Sequence, residues 1–257
     1  MLHISDIQQF FPPKVHSFPK AMLREYLQYK MLATIFSHPL SEKLCFIGGT
    51  ALRIGYNSQR FSEDLDFDNR ELTPSEFETL TDMVQKSLIN EGYEVEIRHI
   101  YKGAFHCVIK VPQLLFDNDL ASMATEKLVI KIDTVAQGAE YQPLPTVLQR
   151  VGVIASYRLA PKEVLLSMKL SALFTRVKGR DVFDIVFLLS FGTKPDWNVL
   201  NHLCQIENAE VLQQKLQSRL SELDFSLLQK DVQPFLFDSN NQSVALFPQI
   251  IQQIQWE

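Results

Sequence analysis

Two carboxylates separated by one residue, Asp64 and Asp66, follow closely on a glycine pair, Gly48 and Gly49. In extended backbone, side chains two apart share a face, so Asp64 and Asp66 point one way while Leu65 and Phe67 turn toward a core. Two carboxylates on one face repel each other unless a cation lies between them. Hard oxygen ligands at that pitch suit Mg²⁺, which is held by one or two carboxylates together with substrate phosphates. Gly48 and Gly49 let the backbone approach a ligand closely, and a helix opening at Thr50 turns its first N–H groups toward an anion. Ser62, just before the acids, adds a hydroxyl. The combination reads as a phosphate cradle beside a metal-binding acid pair. The plainer alternative is a turn and helix followed by an acidic strand end.

A third carboxylate comes from residues 126–135, where the sequence alternates: Leu128, Ile130 and Ile132 on one side, Lys127, Val129, Lys131 and Asp133 on the other. A mixed or antiparallel sheet can set Asp133 beside the strand of Asp64 and Asp66. Three acids then bridge Mg²⁺ ions and activate a hydroxyl for in-line attack on the α-phosphate of a nucleotide. Asp133 serves as base, or as the ligand that positions it, and Lys131 on the same face offsets charge or touches phosphate. An ordinary charged strand face is the alternative.

The elements that must position these groups follow from periodicity. Residues 44–47 are a short buried strand, and a helical pattern with Leu52 and Tyr56 on one side follows the glycines. Before them, a short helix and a proline-rich connector precede a long helix from Pro19 that ends near His38 and Pro39. After them, the pattern predicts a helix over residues 74–90, capped by Thr73 or Ser75 and stopped by Gly92. Strands over residues 93–101 and 104–111 join at Lys102–Gly103, and residues 112–125 form a loop or short helix. Residues 138–146 read as a polar loop and residues 151–159 as a last strand. From Pro161 the pattern is helical: residues 161–176, then Gln-rich amphipathic stretches such as 211–223 and 244–256. The expected division is therefore an α/β core over residues 1–160 and a helical portion over residues 161–257.

Lys169 lies among apolar positions of the helix after Pro161, so either its stem snorkels to water or its ammonium reaches a triphosphate. Asp181 and Asp184 are three apart and share a helix face, placed to pair with Arg180 or Lys169. Asp184 is then an orienting group behind the site. Between Arg150 and Arg180 there are seven basic residues and one acid, Glu163, in a chain of net charge −5. Phosphate contacts supply most non-specific nucleic-acid affinity, so this block is where an RNA acceptor or the triphosphate would touch, unless it is a solvated face.

Bulk properties exclude several classes. The chain has 257 residues, 46% of them hydrophobic and 21% charged, enough for a packed core and against a disordered or fibrous chain. No run of about 18 apolar residues predicts a membrane span, and residues 1–13 lack the basic start and apolar stretch of a signal peptide. Cys45, Cys107 and Cys204, three and widely spaced, form neither a disulfide framework nor a metal knuckle and suit the reducing cytoplasm.

Residues 48–67, with Gly48, Gly49, Arg60, Ser62, Asp64, Leu65, Asp66 and Phe67, resemble the first motif of the polymerase-β-type nucleotidyltransferases, and more narrowly of the AbiEii/AbiGii toxin family. The segment with Lys169, Arg176, Lys178, Arg180, Asp181 and Asp184 resembles a second block of that family. The resemblance implies an α+β fold: a nucleotidyltransferase-type mixed β-sheet with flanking helices, followed by a helical C-terminal portion. It implies NMP transfer from an NTP, where the residues alone leave transfer and phosphate hydrolysis open, with Asp64, Asp66, Asp133 and Lys169 catalytic. Gly48, Gly49, Thr50, Ser62, Lys131, Arg176 and Asp184 then contact nucleotide. It also implies the toxin of a bacterial toxin–antitoxin or phage-abortive system, with a cognate antitoxin and an RNA acceptor such as tRNA. The turn here is Gly-Gly-Thr where the wider superfamily has Gly-Ser, which leaves the hydroxyl contact to Thr50 and Ser62. A small-molecule nucleotidyltransferase of the antibiotic-modifying kind and a non-catalytic nucleotide-binding protein are the other readings.

Overall fold

The computed structural model describes residues 3–256. They form two compact units. The first runs to Asn57 and resumes over Phe61–Ala136 and Leu144–Leu159. Its elements are α1 (Ile4–Gln8), α2 (Pro19–Phe36), β1 (Leu44–Ile47), α3 (Gly48–Tyr56), β2 (Leu65–Asn69), α4 (Pro74–Asn90), β3 (Glu96–Tyr101), β4 (Phe105–Val111), α5 (Leu114–Asp117), β5 (Leu128–Val135), β6 (Leu144–Arg150) and β7 (Val153–Leu159). All seven strands join one sheet in the order β3-β4-β5-β2-β1-β7-β6. It is mixed, because β2 runs parallel to β5 and β1 parallel to β7 while the other neighbours are antiparallel.

Local chemistry explains the boundaries. Thr73 caps α4 and Glu76 returns the bond in a capping box, so Thr73 is the cap of the two candidates. Gly92, at φ +90°, follows the end of α4. α2 stops ahead of Pro39, whose ring disfavours helix in the residue before it. Its apolar stripe, Leu27, Met31, Leu32 and Ile35, is fully buried. An aromatic cluster of Phe36, Phe46, Phe67 and Tyr157 joins α2 to the central strands, with ring centroids 5.4–6.0 Å apart. Burying side chains of this size contributes about 1.5–3 kcal/mol each. Glu25 of α2, itself buried, takes a two-pronged bond from Arg53 of α3 at 2.9 and 3.0 Å, which fixes α3 against α2.

The expected polar loop over residues 138–146 is corrected at its end, where β6 begins at Leu144. β6 is an edge strand on which exposed Val147 and Leu144 are as apolar as buried Leu148, so no polar–apolar alternation shows in the sequence, and Pro145 is tolerated there because an edge leaves N–H groups unpaired. Val151 and Gly152, expected inside the last strand, are instead the two turn residues of the β6–β7 hairpin, both at positive φ.

The second unit comprises Ser58–Arg60, Gln137–Pro143 and the described residues from Ala160 onward. It holds α6 (Lys162–Thr175), α7 (Gly179–Leu189), α8 (Trp197–Cys204), α9 (Ala209–Ser221), α10 (Phe225–Val232) and α11 (Phe247–Gln253). α11 is shorter than the amphipathic stretch 244–256 implies, since Pro248 fits only a first turn. Residues 58–60 group with these helices because Arg60 bridges to Leu236 and Phe237 N–H donates to the Gln59 carbonyl at 3.1 Å. Among the described residues no helix is long and apolar enough to cross a membrane.

Candidate active site

In the first unit, β1 ends at Ile47 and the chain turns at Gly48 into α3. Gly48 has φ +78°, a left-handed conformation that favours glycine. A Cβ there would collide with the Asp66 carboxylate, so the bare Cα is what lets that acid lie against the turn. Ile47 and Asp66 are register partners on β1 and β2. Ile47 supplies no capping side chain, so the first amides of α3 are left for another acceptor. Thr50 donates its hydroxyl to the Asp64 carbonyl, which pins the segment entering β2. That hydroxyl's proton is therefore held by backbone here, where the sequence reading aimed it at phosphate. Gln28, buried on α2, secures the same segment by donating to the carbonyls of Ser62 at 3.2 Å and Glu63 at 2.9 Å.

The sheet register then sets His106 of β4, Asp133 of β5, Asp66 of β2 and Ile47 of β1 in one row across four neighbouring strands. Residues paired across strands present the same face. Asp66 and Asp133 are thereby neighbours, and the alternation of β5 holds, with Leu128, Ile130 and Ile132 buried opposite Lys131 and Asp133. Asp64 sits just before β2, and its Oδ1 accepts the Lys131 N–H at 3.2 Å while Lys131 Nζ lies 4.0 Å from Oδ2. Burial pushes the Asp64 carboxyl above its ordinary range; Lys131 pulls it back and the Asp133 charge adds to the rise. Asp133 Oδ1 is 2.8 Å from Nδ1 of His106.

The sequence expectation that Asp64, Asp66 and Asp133 meet at one point is met only in part. Among the described residues no three His, Cys, Asp or Glu side chains are gathered as a metal-holding group. The physical reason is visible: Asp64 is drawn to Lys131 and Asp133 to His106. The donor set still fits a hard divalent cation in kind, all carboxylate oxygen, with Asp66 and Asp133 on adjacent strands. His106 was not singled out from the sequence. Its position on the polar side of an alternating strand was the one available signal, and only the register of β4 on β5 gives it meaning.

In the second unit, Lys169, Arg176 and Asp184 form a closed charge network with Arg60 and Asp181. Arg60 holds Asp184 with two bonds, Nε to Oδ1 at 2.7 Å and Nη2 to Oδ2 at 2.6 Å. Lys169 Nζ lies 2.8 Å from Asp181 Oδ1 and 2.7 Å from Asp184 Oδ2. Arg176 Nε reaches Asp181 Oδ2 at 3.0 Å. The expected pairing of Lys169 with both aspartates is present, whereas its ammonium, in a side chain only 10% exposed, spends two of its three donors on them rather than standing open to a triphosphate. Arg180 stacks on Phe235, 4.4 Å from the ring centroid. Burial pushes Asp181 upward, but Lys169 and Arg176 overcome it and hold the carboxyl down at about 2. Burial likewise opposes ionisation of Asp184, and Arg60 and Lys169 together keep it below the ordinary range.

The fold has counterparts among solved structures. JHP933 from Helicobacter pylori superposes with a TM-score of 0.55 at 22% identity, over 91% of this chain and 92% of that one. The MenT4 nucleotidyltransferase toxin of Mycobacterium tuberculosis superposes with a TM-score of 0.51 at 14% identity, over 98% and 99%. No curated protein sequence matches the chain. The family model described as the nucleotidyl transferase AbiEii toxin of type IV toxin–antitoxin systems matches residues 30–248. That span takes in both the glycine turn with its acids and the charge network, and the chain belongs to the AbiEii nucleotidyltransferase toxin family.

Proposed function

We propose that this nucleotidyltransferase moves NMP from an NTP to an RNA acceptor, tRNA being the expected one, with Asp64, Asp66 and Asp133 as its catalytic acids and Mg²⁺ as its metal. The observation that carries the reading is Asp66 beside Asp133 on parallel neighbours β2 and β5, with Asp66 seated against the bare Gly48 turn. Asp66 and Asp133 would hold a divalent ion, which would supply charge neutralisation for the α-phosphate and the leaving pyrophosphate. Gly48, Gly49 and the first amides of α3 receive the phosphates. Asp133 takes the proton of the attacking hydroxyl. Lys131, half exposed, offsets the acids. Lys169, Arg176 and Asp184 contribute by keeping the second unit in shape.

For an RNA acceptor the support comes from the sequence alone: seven basic residues against one acid between Arg150 and Arg180 in a chain of net charge −5, less Lys169 and Arg176, whose charge Asp181 and Asp184 already meet. Membership of a type IV toxin family supports a cognate antitoxin partner and, with NTP as substrate, action in the cytoplasm. The test is incubation of the protein with each NTP labelled at the α-phosphate, Mg²⁺ and total bacterial RNA. Label on RNA, lost with EDTA and with Asp66→Ala, is the expected result. Label on small molecules alone, or transfer undiminished by Asp66→Ala, overturns the reading.

A further inference from the structure

Asp133 is flanked in register by a carboxylate on one side, Asp66 of β2, and by an imidazole on the other, His106 of β4. A carboxylate next to another of like charge is pushed away from it unless something fixes its orientation. The bond between His106 Nδ1 and Asp133 Oδ1, at 2.8 Å, does this: it spends one oxygen on the β4 side, and the second oxygen is the one left for the reacting groups. Both side chains are partly buried, 31% and 24% exposed, so water competes less for the bond than at an open surface. The opposite face of β4 holds Cys107, Ile109 and Val111 in the core, which keeps His106 on the acid side. With Asp133 as the acceptor, Nδ1 is the donor, and the ring tautomer is set by that bond.

Resting on the transferase reading above, we infer that His106 is a positioning residue of the transfer reaction: its ring N–H orients the Asp133 carboxylate beside Asp66 and sets how well that pair holds a divalent ion. Groups that orient metal-binding carboxylates in this way are worth about 10–100-fold in activity or metal affinity.

The experiment compares the full chain with His106→Leu, His106→Asn and Asp133→Ala in three measurements: label transfer from NTP to total RNA, Mn²⁺ titration in the presence of NTP, and thermal unfolding. His106→Leu is expected to lower kcat and weaken Mn²⁺ binding about 10–100-fold, with KM for NTP within about twofold and Tm unchanged. His106→Asn, which retains an N–H donor near the position of Nδ1, is expected to recover most of both losses. If Asp133→Ala is inactive while His106→Leu matches wild type, the role of His106 is overturned and the transferase reading stands. If Asp133→Ala remains fully active, the transferase reading itself fails, and this inference with it. Equal losses in the Leu and Asn variants, accompanied by a lower Tm, reduce His106 to packing and overturn the inference. Should wild type label nothing, the Mn²⁺ titration decides: affinity lost in Leu and regained in Asn upholds the role, and unchanged affinity refutes it.

Discussion

Asp66 and Asp133 stand side by side on neighbouring strands with part of their surface open, whereas Asp181 and Asp184 are sealed among Arg60, Lys169 and Arg176. The residue types are the same, and the solvation and partners are opposite. In the second unit the charges answer one another: two carboxylates meet three cations, and the acids ionise readily despite burial. In the first unit Asp64 meets Lys131 and Asp133 meets His106, and burial lifts Asp64 toward its neutral form. A saturated cluster holds a shape. In the function proposed above, it is the acid-rich cluster that takes a divalent cation and carries the chemistry.

The sharpest way to break this contrast is to remove one acid from each cluster. Asp66→Ala is expected to cut nucleotidyl transfer about a thousandfold, roughly 4 kcal/mol of transition-state stabilisation, while the protein unfolds at nearly the same denaturant concentration. Asp184→Ala should do the reverse first: it leaves Arg60 and Lys169 buried without their shared carboxylate and costs about 3–5 kcal/mol in urea unfolding. Asp184→Ala unfolding like wild type would erase the distinction.

Gly48→Ala probes the turn, since an added Cβ meets Asp66 in a backbone region unfavourable to alanine. A loss of about 2–3 kcal/mol with a larger fall in activity is expected, measured by denaturation and label transfer. Acid titration separates the clusters next. Asp181 is held at about 2, below its unfolded value, so its contribution is complete above the unfolded value and is lost as pH falls toward 2. That is about 2 kcal/mol, visible as unfolding free energy declining below about pH 4, and Asp181→Asn should flatten the slope. The smallest effect is Lys131→Gln: without the lysine, Asp64 rises further, so the acid limb of the pH–activity profile moves to higher pH. A limb that stays in place, or moves to lower pH, counts against Asp64 as a group that must be ionised.

The sequence alone determined much of the first unit. A 3.6-residue period marks α2 and α4, a two-residue period marks β5 with Asp133 on its polar side, and the turn at Gly48 was legible because glycine and alternation leave direct marks on the chain. β6 left none, because exposed Leu144 and Val147 are as apolar as buried Leu148, so its buried side is not marked by residue type. The partners of the acids were beyond reach for another reason. Strand register pairs residues far apart in sequence, and it alone puts His106 against Asp133 across 27 positions and Lys131 against Asp64 across 67. The same holds for Lys169: a lysine in an apolar helix is equally consistent with a phosphate ligand and with a buried pair. Only the folded chain, bringing Arg60 to Asp184 across 124 positions, shows that its charge is already matched.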